Sequence, residues 1–151
     1  MVLKIKNKKF EIEFIGNKDF KKFLRESKNQ LKKLSEYFQT LHQNENQTMI
    51  TVKIVSDEEI KILNQQYRKK NKVTDVLSFP DEHASGDIAI ADSYILNKNQ
   101  TINPQNFFML VGHGLLHLFG YTHYDKQSRS NMRFLENLFM LMLGLKKIHE
   151  D

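Results

Sequence analysis

The amino-acid sequence predicts an α+β fold: a single domain over residues 1–151, with one mixed sheet of about four strands packed by helices. Two hydrophobic periodicities alternate along the chain, a period of two that is typical of strands and steps of three and four that are typical of helices. A third observation is a helix predicted over residues 104–119, which is apolar on nearly every side and is therefore expected to be buried. A length of 151 residues is enough for one domain with a real core.

The strands are predicted from alternation and from runs of β-branched residues. Apolar and polar residues alternate on both sides of a short polar turn, which indicates a β-hairpin over residues 3–14. Further strands are expected at residues 49–55, 74–79 and 86–91, of which the first is rich in β-branched residues.

The helices are predicted from apolar residues that recur in steps of three and four. They are expected at residues 18–42, 56–68, 104–119 and 128–143. Ser56 and Glu59 form the S-x-x-E pattern of a capping box at the start of the second helix, and Asn103 followed by Pro104 suits the start of the third. His42, at the end of the first helix, is expected on the surface.

The composition excludes several classes of protein. The chain has no cysteine, so disulfides and thiolate metal sites are excluded, and any metal must be bound by His, Asp or Glu. The N-terminus lacks the apolar block of a signal peptide, and no stretch approaches the roughly 18 uncharged apolar residues that a membrane span needs. We therefore expect a cytoplasmic protein with no membrane contact and no disulfide-linked partner.

The formal net charge of +5 is unevenly distributed along the chain. Residues 1–47 carry 11 Lys and Arg against 6 Asp and Glu, whereas residues 48–151 carry 12 of each. Within the second part lies a basic cluster of four side chains, Arg68, Lys69, Lys70 and Lys72. A net positive charge favours binding of polyanions, above all nucleic acid. A charge of this size is equally consistent with an ordinary soluble surface.

Three histidines, His113, His117 and His123, follow the pattern H-x-x-x-H-x-x-G-x-x-H. His113 and His117 are four residues apart, so on a helix they project from the same face. Gly120 can end that helix and turn the chain, which would bring His123 back over this face. Three imidazoles with an open fourth position are a common way to bind catalytic zinc, and we predict one Zn²⁺ per chain. Nickel or copper would also suit three imidazoles.

The alternative is that these histidines are core residues satisfied by hydrogen bonds alone. Two imidazoles on an otherwise apolar helix face would then each need a buried polar partner, whereas a shared metal satisfies both at once. The spacing also matches the zinc-protease pattern H-E-x-x-H-x-x-G-x-x-H, but position 114 is Gly rather than Glu. The general base for peptide hydrolysis is therefore missing, and a peptidase acting by that mechanism is disfavoured.

Arg68 is predicted to be the catalytic residue that stabilises charge on a substrate phosphate. Its planar guanidinium can hold a phosphate through two hydrogen bonds, while Lys69, Lys70 and Lys72 would bind a polyanionic substrate together with it. A metal site beside an arginine suits attack of water on a phosphodiester. The alternative is that Arg68 only stabilises the C-terminal end of its own helix.

Three segments, LNQQYRKKNKVTDVLSFP, GDIAI and HGLLHLFGYTH, lie within residues 63–125. Together they resemble the YbeY family of bacterial metal-dependent endoribonucleases. The resemblance implies zinc bound by His113, His117 and His123 and a functional Arg68. It also implies trimming of single-stranded rRNA, including the 3′ end of the small-subunit rRNA, and a role in ribosome quality control. The expected partners are single-stranded rRNA and the small ribosomal subunit.

The departure from the family pattern that matters is at position 122: Thr122 stands where the family usually has Asp before the third histidine. A carboxylate there could orient a ligand or assist a water. The residue that acts as acid or base is therefore left open, and Asp125 or Asp87 is a hypothetical replacement for the missing Asp. Two other functions remain open at this point. One is a metal-stabilised ribosome-assembly factor that binds rRNA without cleaving it, and the other is a metallohydrolase for a different phosphate ester.

Overall fold

The computed structural model describes residues 2–150, which contain five β-strands and five α-helices. The strands are β1 (Val2–Lys6), β2 (Phe10–Ile15), β3 (Thr48–Val55), β4 (Val76–Pro80) and β5 (Gly86–Ala91). The helices are α1 (Lys18–Glu26), α2 (Lys28–Leu41), α3 (Asp57–Arg68), α4 (Pro104–Leu118) and α5 (Lys126–Met142). The predicted α+β class is confirmed.

The strands form one mixed sheet in the order β1-β2-β3-β5-β4. The pairs β1–β2 and β4–β5 are antiparallel, whereas β2–β3 and β3–β5 are parallel. Five strands are present in the described range where the sequence predicts about four, because both strands of the N-terminal hairpin join the sheet. Within residues 2–150, β4 forms one outer edge of this sheet.

The two faces of the sheet pack against different helices. Successive side chains of a strand point to opposite faces, so Ile88 and Ile90 of β5 face one way and Ala89 and Ala91 the other. The isoleucines belong to the main core, which also contains buried residues of α1, α2, α4 and α5. The alanines belong to a smaller cluster with Ile60 of α3. We refer to these two sides as the α4 face and the α3 face.

The helix α4 is buried at the centre of the fold because two of its glycines allow close packing. A Cβ atom at Gly114 would lie 3.0 Å from the side chain of Ile88 in the sheet. A Cβ atom at Gly112 would lie 2.7 Å from the ring of Phe139 in α5. The predicted buried central helix is therefore confirmed. Neither α4 nor any other helix within residues 2–150 is long and apolar enough to cross a membrane.

The prediction of one helix over residues 18–42 is wrong, because the chain breaks into α1 and α2 at Ser27. Ser27 leaves the helical conformation, with φ −103° and ψ 24°, and ends α1 with a hydrogen bond from its N–H to the carbonyl of Leu24 at 3.1 Å. The apolar pattern conceals the break, because buried Leu24 and Leu31 are seven residues apart, about two full helical turns.

The prediction that His42 lies on the surface is also wrong. His42 is 5% exposed and packs between the rings of Phe10 and Phe119, with ring centroids 6.2 and 5.4 Å away. Its Nε2 lies 3.3 Å from the hydroxyl of Thr48. Burial and the nearby charge of Lys9 lower the pKa of His42, so the neutral ring is favoured. The chain folds β3 back over the end of α2, which the local sequence pattern does not reveal.

Candidate metal centre

His113 and His117 lie on one face of α4, towards its C-terminal end. The helix begins at Pro104, and the side chain of Asn103 caps it by accepting a hydrogen bond from the N–H of Asn106 at 3.0 Å. Because the histidines are four residues apart, their rings lie about one turn apart on the same side. Their Nε2 atoms are 3.1 Å apart, and both rings are half-buried.

The turn after α4 brings the third histidine to the first two. The N–H groups of Gly120 and Tyr121 donate to carbonyl groups of the last helical turn at 3.0 Å, the paired bonds of a Schellman motif. Gly120 has φ +97°, a conformation that glycine adopts without strain. The ring centroid of His123 then lies 5.0 Å from that of His117 and 5.9 Å from that of His113. One ring nitrogen from each histidine lies within 4.8 Å of the other two.

The hydrogen bonds of His113 and His117 determine which ring nitrogen carries the proton. The Nδ1 atom of His117 lies 3.1 Å from the carbonyl oxygen of Tyr121, which can only accept. The Nδ1 atom of His113 lies 2.8 Å from Oε2 of Glu136, which accepts when ionised. Both Nε2 atoms are then left with lone pairs that face each other.

Two lone pairs at this separation repel each other unless a cation lies between them. In a tetrahedral site with Zn–N distances of about 2.0–2.1 Å, ligand nitrogens lie about 3.3 Å apart. The 3.1 Å between the Nε2 atoms of His113 and His117 is close to this value. The donor set therefore fits a metal ion such as Zn²⁺.

Glu136 of α5 is the buried carboxylate of this region, with 6% of its surface exposed. Its Oε2 accepts from His113, and its Oε1 lies 2.9 Å from Nε2 of His149. Burial raises the pKa of Glu136, but the hydrogen bonds and charges of the two histidines outweigh burial, so the pKa is lower than usual. An ionised carboxylate behind a ligating histidine fixes its ring orientation and tautomer.

The C-terminal segment is attached to α5 by Asn137, which positions His149 against Glu136. The Oδ1 atom of Asn137 accepts from the N–H of Ile148 at 2.8 Å and from the N–H of His149 at 2.9 Å. Its Nδ2 donates to the carbonyl of His149 at 2.8 Å. The end of the chain therefore takes part in orienting the first histidine of the cluster.

The pKa of His117 is lower than that of a free imidazole. Burial is the main cause, and the neighbouring charges of His113 and His123 act in the same direction. The hydrogen bond to the carbonyl of Tyr121 opposes the shift but does not cancel it. A neutral imidazole is the form that binds a metal, so the environment of His117 favours its ligating form.

Gly114 occupies the position at which zinc proteases carry their catalytic Glu, and its surroundings disfavour such a side chain. The glycine is buried against Ile88, and three atoms of that side chain lie 3.0 to 3.2 Å from where a Cβ would be. This position therefore points into the sheet rather than towards the histidines. The missing carboxylate follows from the packing of α4.

Neither acidic residue suggested as a replacement for Asp at position 122 faces the cluster. Asp125 caps α5, where its Oδ1 accepts from the N–H of Ser128 at 2.8 Å, and these bonds lower its pKa. Asp87 lies on the α3 face, because its neighbour Ile88 points to α4. Thr122 is half-buried in the turn before His123. The geometry therefore disfavours both Asp125 and Asp87 as replacements for the missing Asp.

The basic cluster lies at the end of α3 and in the loop that follows. Arg68 is the last residue of the helix, and Lys69 ends it in a left-handed conformation with φ +60°. All four side chains of the cluster are exposed. The Nζ of Lys69 donates to the carbonyl of Gln66 at 3.3 Å, so the helix end is capped by the lysine. Among the interactions of residues 2–150, no hydrogen bond or ion pair joins Arg68 to the three histidines.

Two residues of this region were not predicted from the sequence as part of the site, Glu136 and His149. A signal for Glu136 exists, because it is a carboxylate within the otherwise apolar end of α5, and a buried charge needs a partner. No comparable signal exists for His149, which reaches the site only because Asn137 holds the chain end.

A profile of the family described as "Endoribonuclease YbeY" matches residues 12–144, which is most of the chain. The chain belongs to the YbeY family. The three histidines, the turn at Gly120 and the basic cluster all lie within the matched range, and the resemblance drawn from the sequence motifs is confirmed.

Curated YbeY relatives and a solved structure agree with this assignment. The Endoribonuclease YbeY of Buchnera aphidicola subsp. Acyrthosiphon pisum is 37% identical over 119 residues, which cover 72% of this chain and 77% of that one. The Endoribonuclease YbeY of Coxiella burnetii is 31% identical over 118 residues, covering 72% and 78%. The solution structure of TM1509 from Thermotoga maritima superimposes with a TM-score of 0.60 at 26% identity, covering 87% of this chain and 88% of that one.

Proposed function

We propose that this protein is a zinc-dependent endoribonuclease that cleaves single-stranded rRNA. Its membership of the YbeY family supports a nuclease that hydrolyses RNA. The single observation that carries the metal dependence is the convergence of His113, His117 and His123, whose ring nitrogens lie within 4.8 Å of one another. We propose these three residues as the ligands of one Zn²⁺ per chain, with residues 1–151 acting as one domain.

The chain's own contribution to catalysis is to hold the ligands in their binding form. The carbonyl of Tyr121 and the carboxylate of Glu136 keep the protons of His117 and His113 on Nδ1, so that both Nε2 atoms are available. A bound Zn²⁺ would act as a Lewis acid on a phosphoryl oxygen and on water. The exposed third histidine leaves this side of the cluster open to a substrate.

We propose that Arg68 stabilises negative charge on the phosphate that is cleaved, and that Lys69, Lys70 and Lys72 bind the RNA backbone with it. All four side chains are exposed at the end of α3, where a polyanion can reach them. A guanidinium can hold two phosphate oxygens at once, whereas the lysines act as point charges.

The proposed biological role rests on the resemblance to the YbeY family. We propose that the protein processes the 3′ end of the small-subunit rRNA, acts in ribosome quality control, and works on the small ribosomal subunit in the cytoplasm. The formal charge of +5 suits a partner as negatively charged as rRNA.

A second candidate function is a metal-stabilised assembly factor that binds rRNA without cleaving it. One observation favours it: the carboxylates nearest to the histidines in the chain already hold other groups. Glu136 is held by two histidines, and Asp125 caps α5. Neither belongs to the group of side chains that could hold the metal.

The test is cleavage of a single-stranded precursor rRNA fragment by the purified protein, with zinc and with a chelator. We expect cleavage by the wild type that stops with the chelator, loss of cleavage in His117→Ala, and a strong decrease in Arg68→Ala. Arg25→Ala, a change on the exposed end of α1, is the matched control and should cleave like the wild type. Cleavage that persists in His117→Ala would overturn the proposal. RNA binding without cleavage in every preparation would favour the assembly factor.

A further inference from the structure

A groove of about 350 Å³ lies on the α3 face of the sheet, between α3 and the central strands. Its volume is within the range in which proteins bind small organic molecules, at the lower end. Its apolar lining includes Val55, Leu63 and Ala89. This groove is separate from the histidine cluster, which lies on the α4 side.

One end of the groove is an aromatic pair made of Tyr67 and Phe79. Their ring centroids are 4.9 Å apart, and 66% of Tyr67 is exposed. A large aromatic side chain that is held by a second ring and still open to solvent offers a flat surface for stacking. Proteins bind unpaired bases on such surfaces, and each stacked base contributes about 1–3 kcal/mol.

The rim of the groove carries the carboxylate of Asp87. Asp87 of β5 pairs in register with Thr51 of β3 on one side and with Phe79 of β4 on the other, so the three form a row across the sheet. Asp87 is exposed, and within residues 2–150 its side chain has no hydrogen bond or ion pair. In contrast, Lys53 and Glu59 at the other end of the groove pair with each other at 3.5 Å.

A ring surface beside a hydrogen-bond acceptor selects for a flat ligand with a donor on its edge. Cytosine, adenine and guanine each carry an exocyclic amino group that can donate to a carboxylate. Uracil has no amino group, and its one edge donor, N3–H, lies between two carbonyl oxygens that a carboxylate repels. The row of Phe79 and Asp87 therefore matches an amino-bearing nucleobase better than it matches uracil.

The groove adjoins the basic cluster, and its β4 wall packs against α4 on the other face of the sheet. Tyr67 directly precedes Arg68, the first residue of the basic cluster. Phe79 directly follows Ser78, whose hydroxyl donates to the carbonyl of Gly114 at 3.4 Å, beside His113. Ser78 and Phe79 point to opposite faces of β4, the outer strand, so this edge of the sheet borders both the groove and α4.

We propose that this groove binds one unpaired nucleobase of the RNA substrate, stacked on Tyr67 with its exocyclic amino group donating to Asp87. The groove would thereby set a base preference close to the cleaved phosphate. This inference rests on the proposed function, because it takes single-stranded RNA as the substrate.

The test measures binding of two fluorescent twelve-nucleotide RNAs, oligo(C) and oligo(U), by anisotropy at 4 °C, with the intact probes verified on a gel. The two pyrimidines differ at C4, where cytosine has its amino group and uracil a carbonyl, and at N3, which accepts in cytosine and donates in uracil. We expect roughly tenfold tighter binding of oligo(C) by the wild type. Asp87→Asn should reduce this preference to within twofold.

Tyr67→Ala should weaken binding of both RNAs roughly 5- to 100-fold, the range expected for one lost stacking contact. Tyr67→Phe keeps the ring and should bind like the wild type, which separates loss of stacking from loss of folding. Tyr94→Ala removes an exposed tyrosine that does not line the groove, and it should bind within twofold of the wild type.

The outcomes distinguish this inference from the proposed function. If the wild type binds RNA but Tyr67→Ala binds equally well, the groove is not a base site, and the proposed function stands. Equal binding of oligo(C) and oligo(U) by the wild type would overturn the role of Asp87. If the wild type binds neither RNA, the groove and the proposed substrate are overturned together.

Discussion

The Nδ1 atom of His113 lies 2.8 Å from Oε2 of Glu136, a carboxylate that is 6% exposed. This contact joins α4 to α5 and turns the Nε2 atom of His113 towards His117. The other carboxylate oxygen is held by His149 at 2.9 Å, so Glu136 cannot rotate without breaking two hydrogen bonds. The histidine cluster is therefore positioned by a residue that would not itself contact the metal.

Replacing Glu136 by Gln should weaken zinc binding by about 10- to 100-fold, the range found for partners of ligating histidines. A neutral amide keeps the size of the side chain but loses the charge that stabilises the Nδ1-protonated ring of His113. The measurement is competition for Zn²⁺ against a chromophoric chelator. Glu26→Gln, an exposed change on α1, is the control. An affinity for zinc unchanged in Glu136→Gln would show that the contact is only structural.

The metal-free protein should become less stable as the pH falls, and His117 should contribute to this loss. The folded state lowers the pKa of this ring below the ordinary value of 6.5, mainly by burial. As the pH falls through 6.5, the unfolded chain therefore binds more protons at this position than the folded chain, and the free energy of unfolding falls. Above about pH 7.5 both states are neutral here, and the effect is absent.

Urea unfolding at pH 7.5 and pH 5.5 in the presence of a chelator measures this effect. The decrease between the two pH values should be smaller in His117→Gln, whose side chain does not titrate. An equal decrease in the variant and the wild type would assign the pH dependence to other groups.

Substitution of Gly114 by Ala should destabilise the fold, although alanine is the better helix former by about 1 kcal/mol. The added Cβ would lie 3.0 Å from two atoms of Ile88, and crowding in a packed core typically costs about 1–3 kcal/mol. Ile88→Val removes one of those two atoms, Cδ1, so Gly114→Ala should cost less in that background. Urea unfolding of the four proteins tests the coupling. A Gly114→Ala protein that is more stable than the wild type would contradict the packing argument.

Replacing Arg68 by Lys should lower kcat for RNA cleavage by about 10- to 100-fold, because an ammonium cannot hold two phosphate oxygens in a plane. The proposed role is charge stabilisation at the cleaved phosphate, so KM should change little. Lys70→Ala should instead raise KM with a smaller effect on kcat, because it removes backbone binding. Steady-state kinetics on one RNA substrate separates the two patterns. Equal loss of kcat in both variants would contradict the distinction.

Local patterns were sufficient to predict much of the fold. The capping residues Ser56 and Asn103 accept the backbone N–H bonds expected of them, from Glu59 at 3.1 Å and Asn106 at 3.0 Å. The strand at Gly86–Ala91 has the predicted bounds. The break at Ser27 and the burial of His42 were not predicted, because both depend on how distant segments pack.

The candidate site was predictable where its members are close in the chain. His113, His117 and Gly120 belong to one helix and its terminal turn, so their geometry follows from helix periodicity and a glycine cap. Glu136 and His149 come from α5 and the chain end. Their position depends on tertiary packing and on the hydrogen bonds of Asn137, which no local spacing encodes.

Metal content measured by native mass spectrometry tests the central claim most directly. The wild type, dialysed against zinc and then against buffer, should carry one Zn²⁺ per chain, and His117→Ala should carry none. His83→Ala, a change at an exposed histidine outside the cluster, is the control and should retain the metal. A His117→Ala protein that still binds one equivalent of Zn²⁺ as tightly as the wild type would contradict the assignment of this cluster as the metal site.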